Sequence, residues 1–399
     1  MQVGNIIDYV NEFRTISLKE KPFDEVDSLV LSQVSYYNFS CGEFTGNSFK
    51  RTLAELLEKD SKPLLESTTI VREDDVNFIE ALAEAGRHGS LRVSHYVEIM
   101  DVEVEKQFAA MTFEVAEGEY AIVFRGTDIS VTGWKEDLAM CYEEFIPAQK
   151  EALEYTKKVM NDVEGNFYLC GHSKGGNLSV YTAIHLPLKY RKRLLAVYDH
   201  DGPGFVDSVY VGEDYWKIRS LIKKTVPKSS VIGLMWQADD NYKVVLSDEK
   251  LLAQHDPFTW IVEGGRFKET ETVDTFSKYT KASLESWVDT LSRAERKQLV
   301  NTVFDVIYGA GIDSFDDLVE DTLPNVLRLI AEVAEMDKNE RENVLNAVKQ
   351  LLLVYQKEIP LTVKAERDAK LEEQVHKLKL KIQKLKKDAK KNLEIIIKK

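Results

Sequence analysis

Cysteine is scarce in this chain: 399 residues carry three, Cys41, Cys141 and Cys170. They are too scattered for a disulfide framework and none has the spacing of a metal-binding pair, which excludes a stapled secreted module and a cysteine-built zinc site. Phosphate-binding loops and dinucleotide fingerprints are missing too, so no cofactor is expected. From Met1 to Glu20 there is no long apolar stretch, while Asp8 and Glu12 interrupt the segment. Neither a secretory signal nor a membrane anchor is read there, and cytoplasmic residence is the expectation. Positive charge is in deficit as well, with a formal net charge of -14. That argues against nucleic acid as a partner of the whole molecule, because holding phosphates needs a basic surface.

What is present is a globular composition, 44% hydrophobic and 30% charged, in a chain longer than one hydrophobic core usually spans. Apolar residues three or four apart predict helices over 6–13, 26–37 and 76–85, a helical lead-in filling residues 1–90. Alternation then predicts strands over 91–97, 108–115 and 120–124, followed by helices over 133–145 and 148–163. Further on, strands are expected at 194–198, 231–235 and 242–246, with a helix at 216–224. Such alternation predicts an α/β class with a mostly parallel sheet and helices on both faces. This core runs over 1–270, a helical appendage over 271–360, and a basic amphipathic helix over 361–399.

The run Phe167-Tyr168-Leu169-Cys170-Gly171-His172-Ser173-Lys174-Gly175-Gly176 carries the chemistry. An apolar strand feeds a turn in which glycines two residues either side of Ser173 permit a sharp strand-to-helix reversal, presenting one hydroxyl above the sheet. Ser173 is the expected nucleophile. A hydroxyl needs a base, and in this architecture serine, acid and histidine follow in that chain order. Only His185, His200, His255 and His376 come after Ser173. His185 falls on the helix behind the serine and His376 in the basic tail, whereas His255 sits in a loop after the last strand and is the expected base. Asp201, opening Asp201-Gly202-Pro203-Gly204 at the tip of the next strand, is the expected acid. Asp199 should point elsewhere by strand alternation, and Asp239 and Asp240 are the alternatives. The oxyanion donors expected are the backbone amide of Lys174 and Thr127, whose amide and hydroxyl follow the strand ending Phe124-Arg125-Gly126. Arg125 is read as a brace paired with a carboxylate.

Phe124-Arg125-Gly126-Thr127 with Trp134 and Asp137-Leu138, followed by Gly171-His172-Ser173-Lys174-Gly175-Gly176, resembles the paired signatures of class 3 (fungal-type) lipases in the α/β-hydrolase superfamily. The segments 22–33, Asp201 to Phe205 and Gln254 to Phe258 together resemble a bacterial family of unknown function related to those lipases, over roughly the first 265 residues. The resemblance implies an α/β-hydrolase fold, Ser173 as nucleophile, and the residues Thr127 and Lys174 as the oxyanion hole. Two departures stand out. The usual leucine after the serine is Lys174, a cation that would either favour an anionic substrate or point to solvent. Residues 226–231, where the lipases carry their acid, offer only serines, so Asp201 supplies the carboxylate from another strand end or the triad is reduced to serine and histidine.

The reading is a cytoplasmic esterase or lipase-like hydrolase acting on carboxylic esters, lipid esters among them, through an acyl-enzyme on Ser173. The alternative is a weakly active or inactive scaffold working through its tail. From Lys377 to Lys399 ten lysines face Asp388 and Glu394, a +8 segment on an acidic body. Such a helix suits an anionic membrane surface, self-association through 365–399, or plain solvation.

Overall fold

The computed structural model describes residues 3–37, 39, 48–57, 73–128 and 130–309. The part of the predicted helical appendage after residue 309, the basic segment 361–399, Cys41 and His376 lie outside them.

Nine strands form the main sheet: β1 (Arg51–Thr52), β2 (Arg92–Asp101), β3 (Lys106–Ala116), β4 (Glu119–Phe124), β5 (Asn166–His172), β6 (Leu194–His200), β7 (Ile222–Pro227), β8 (Tyr242–Val245) and β9 (Glu269–Thr270). Their spatial order is their order along the chain. Strands β4 to β8 are parallel, while β1 to β3 on one flank and β9 on the other are antiparallel. The α/β class expected from the sequence is therefore present, with a sheet that is mixed at its flanks and parallel in the middle.

Strictly sequential parallel strands joined by right-handed crossovers send every connection over the same face. That face is covered by α4 (Val131–Ala139), α5 (Pro147–Asp162) and α6 (Lys174–His185). It packs around Ile122, Phe124, Phe167, Leu169 and Val197. The opposite face would stay open without the amino-terminal segment. There α1 (Ile6–Glu12), α2 (Glu25–Val34) and α3 (Glu73–Glu84) pack with Trp260 on Val123, Cys170 and Tyr198. The period-two alternation along β4 and β5 sorts their side chains between these two cores.

Helix α2 starts where Asp24 accepts from the amides of Val26 and Asp27, and Asp27 returns a bond to Asp24 N. The Asp27 carboxylate also takes Arg87 at 2.6 Å, His88 at 2.9 Å and the Tyr9 hydroxyl at 2.9 Å. This buried cluster ties α1, α2 and the segment after α3 together, and it holds the Asp27 carboxyl well below the usual carboxylate range against the opposing effect of burial.

Two expectations fail after β6. The helix predicted over 216–224 ends at Ile218, and after one 3-10 turn residues Ile222–Pro227 become β7. Its Lys224 reads as a polar helix position but is buried, its ammonium 2.8 Å from Asp199. The strand predicted over 231–235 is a 3-10 turn, Ile232–Leu234, in the connection to β8. After β9 come α7 (Thr275–Asp289) and α8 (Arg293–Gly309), which begin the predicted helical appendage. Among the described residues no helix is long and apolar enough to cross a membrane.

Candidate active site

Strand β5 ends at His172 and α6 begins at Lys174, leaving Ser173 alone at the bend with φ 56° and ψ -132°. A side chain there is strained, and the strain is held by neighbours: Ser173 N donates to His200 O on β6 at 2.9 Å, and Gly176 N to Ser173 O at 2.9 Å. A Cβ on Gly171 would strike the Gly175 backbone, and one on Gly175 would strike the Phe124 carbonyl. Both glycines are thus required by the tightness of the elbow.

His255 closes a 3-10 turn, Leu251–His255, and its Nδ1 lies 2.7 Å from Asp201 Oδ2. Asp201 stands just past β6 at φ 53°, buried, with its amide donating to Thr225 O at 2.8 Å. Its other carboxylate oxygen accepts from Ser230 Oγ at 2.5 Å. With Nδ1–H given to the carboxylate, the lone pair of the imidazole rests on Nε2. The Asp201 loop also touches the elbow, since a Cβ on Gly202 would come within 2.7 Å of Ser173 O.

Four of the rival residues are otherwise occupied, and Asp240 is exposed. Asp199 faces away, pairing with Lys224 and accepting from Gly202 N at 2.9 Å, and burial pushes its carboxyl up. Asp239 takes Arg219 at 2.7 Å and Tyr215 at 2.5 Å. His185 Nδ1 is bonded to Tyr181 O at 2.8 Å. His200 is sealed against Ser28 and Trp260, and burial pushes its imidazole down to about 3.

Thr127 follows β4 on a loop pressed against the elbow: a Cβ on Gly126 would come within 2.7 Å of His172 O. Its hydroxyl, expected to face the same point as its amide, instead donates to Asp137 Oδ2 on α4. That leaves its backbone amide as the candidate donor. Lys174, first residue of α6, has no intrahelical acceptor for its amide. Its side chain corrects both sequence expectations, since it neither reaches solvent nor lies open to a substrate. It is fully buried, with Nζ 3.0 Å from Glu136 Oε2 and 2.5 Å from Gln107 Oε1. Desolvation, helped by the Glu136 and Asp128 carboxylates, pushes Asp137 up, to about 6, against the pull of the Lys174 ammonium and the Thr127 hydroxyl. Arg125 braces the loop as expected, 2.6 Å from Glu98.

Residues not singled out from the sequence complete the site. His172 packs on His255 with ring centroids 4.6 Å apart and the rings tilted by 37°, and His172 Nε2–H donates to His255 O at 2.8 Å. The Tyr36 hydroxyl donates to His172 Nδ1 at 2.9 Å, so the imidazole is neutral, and burial holds it well below the usual histidine range. No direct hydrogen bond joins the Ser173 hydroxyl to His255; His172 brings the two residues to one corner. The signal for His172 was its place inside Gly-His-Ser. Tyr36 and Ser230 carried none, because their roles depend on contacts across 136 and 29 residues of chain.

An apolar groove of about 230 Å³, lined by none of Thr127, Ser173, Asp201 and His255, connects to this corner only through neighbouring residues. Its walls are Leu138 on α4 and Cys141 just after it, Met235 and Trp236 before β8, and the inner sides of α7 and α8. Leu138 follows Asp137 directly, and Met235 O and Trp236 O accept from Gly204 N and Phe205 N in the Asp201 loop, at 2.8 and 3.1 Å. Among the described residues no group of three histidine, cysteine or carboxylate side chains could hold a metal ion.

Residues 82–305, more than half of the chain, match the profile of the family described as Mbeg1-like. No curated protein sequence matches. Among solved structures, M37 lipase aligns at 18% identity with a TM-score of 0.34, covering 54% of this chain and 70% of that one. A fungal lipase–inhibitor complex, described as a model for interfacial activation, aligns at 15% identity with a TM-score of 0.33, covering 55% and 76%.

Proposed function

The chain belongs to the Mbeg1-like family, and we propose that within its lipase-like α/β-hydrolase fold it is a serine hydrolase cleaving carboxylic esters. The observation that carries this reading is the bond of 2.7 Å between His255 Nδ1 and the buried Asp201 carboxylate, set against the elbow of Ser173. An imidazole oriented in that way has one task left for Nε2, which is to accept a proton.

The mechanism follows from the residues. The Ser173 hydroxyl gives its proton to His255 Nε2 as Oγ attacks the ester carbonyl, and Asp201 stabilises the imidazolium. The Lys174 and Thr127 amides receive the charge that develops on the carbonyl oxygen. His255 returns the proton to the departing alkoxide, leaving an acyl group on Ser173, and a water activated by the same imidazole releases the acid. Free hydrolase sites commonly hold nucleophile and base farther apart than the loaded site does, which accommodates the missing Ser173–His255 bond. The groove starting at Leu138 and Trp236 supports an apolar acyl group, lipid esters among them.

A fluorophosphonate probe followed by mass-spectrometric mapping tests this. Wild-type protein is expected to carry the label on Ser173, with none in Ser173→Ala and strongly slowed labelling in His255→Ala. A folded, unlabelled wild-type chain removes the hydrolase reading.

A further inference from the structure

Lys174 is placed where the proposed chemistry asks only for a backbone amide, yet its side chain is the most heavily bonded cation near the site. Its Nζ donates to Gln107 O at 3.1 Å and Gln107 Oε1 at 2.5 Å, pairs with Glu136 Oε2 at 3.0 Å, and lies 3.8 Å from Asp137 Oδ1. Burying an ammonium completely costs several kcal/mol unless partners surround it, so an apolar side chain there would be the less demanding choice. The partners explain the lysine. Asp137 holds the Thr127 hydroxyl, and Gln107 Nε2 reaches Gly126 O at 3.5 Å, so both grip the loop that offers the second amide. Glu136 in turn anchors Gln107 N at 3.2 Å and Ala148 N at 2.8 Å, fixing α4 to β3 and to the start of α5.

We infer that the Lys174 side chain is a positioning residue: through Asp137, Glu136 and Gln107 it locks the Gly126–Thr127 loop to the nucleophile elbow, so that the two oxyanion amides keep one spacing. The inference rests on the hydrolase reading for its consequence but not for its mechanics. One residue then supplies a donor amide through its backbone and registers the other through its side chain, which makes the two donors a single rigid unit.

The test compares Glu136→Gln with Lys174→Met/Glu136→Gln, because Lys174→Met alone would strand a buried carboxylate. Hydrogen exchange over Arg125 to Asp128, read by mass spectrometry, is expected to be at least tenfold faster in the double variant than in Glu136→Gln. The rate of Ser173 labelling by the fluorophosphonate is expected to fall by about tenfold or more. Adding Thr127→Val should cost little further, since both changes loosen the same loop. Unchanged exchange in that segment overturns the inference, as does a full multiplicative loss on adding Thr127→Val. If exchange responds while wild-type Ser173 takes no label, the coupling stands and the hydrolase reading falls.

Discussion

His172 and His255 lie ring against ring at 4.6 Å, and the first donates its Nε2–H to the backbone carbonyl of the second at 2.8 Å. Because His172 directly precedes Ser173, this contact sets the distance between the strand carrying the proposed nucleophile and the loop carrying the proposed base. The link needs a proton on Nε2, and the Tyr36 hydroxyl, donating to Nδ1 from the other side of the ring, selects that tautomer of the neutral imidazole.

His172→Phe keeps the stacking surface and removes the bond. Labelling of Ser173 is expected to slow about 10- to 100-fold through misplacement of His255, with the protein still folded by circular dichroism. Tyr36→Phe leaves His172 Nδ1 buried and unpaired. Its expected cost is about 1–2 kcal/mol in urea unfolding.

The two aspartates at the end of β6 should separate cleanly. Asp201→Asn removes the carboxylate from His255, and turnover of a p-nitrophenyl ester is expected to fall by about a thousand- to ten-thousandfold with little loss of fold. Asp199→Asn instead strands the buried Lys224 ammonium, and its expected effect is about 3–5 kcal/mol of stability. Comparable turnover losses in both variants would contradict the division of roles.

Two buried groups make stability depend on pH in opposite senses. An unfolded chain protonates histidine near pH 6.5, as a general value, whereas His200 is pushed down to about 3 by burial. Its contribution is therefore complete above about pH 6.5 and is lost progressively as pH falls below that. Asp137, pushed up to about 6, binds its proton in the folded chain first, so its contribution grows as pH falls through 6. Between pH 6 and 5, the pH slope of the unfolding free energy should drop by about 1 kcal/mol per pH unit in His200→Gln. In Asp137→Asn it should rise by about as much. Urea titrations at each pH read both.

Ser173 sits at φ 56°, ψ -132°, a conformation that glycine adopts freely. Ser173→Gly should raise the unfolding free energy by about 1–2 kcal/mol while abolishing any labelling, because strain at the elbow is relieved. An unchanged or lowered stability would show that the bend stores none.

Much of this was legible in the chain because it depends on near neighbours. The elbow follows from two glycines within two residues of Ser173, the strands β2 to β4 from period-two alternation of apolar residues, and β5 from the apolar run before the turn. The misread segment 216–227 shows the limit. Lys223 and Lys224 look like the polar side of a helix, and only the Asp199 carboxylate on the adjacent strand together with the Gly202 carbonyl makes a buried lysine at the second of them acceptable. Lys174 repeats the lesson, since no local pattern distinguishes an exposed cation from one enclosed by Glu136, Asp137 and Gln107.

By itself the sequence determined where the chain must turn, which class of sheet it builds, and the order in which a serine, a carboxylate and a histidine appear. Tertiary structure alone decided that the Thr127 hydroxyl belongs to Asp137, that Lys174 is enclosed, and that His172 ties elbow to loop. The reason is physical: turns and strands answer to steric limits among residues close along the chain. Hydrogen bonds between buried side chains answer to whichever partners the packed sheet brings within 3 Å of one another.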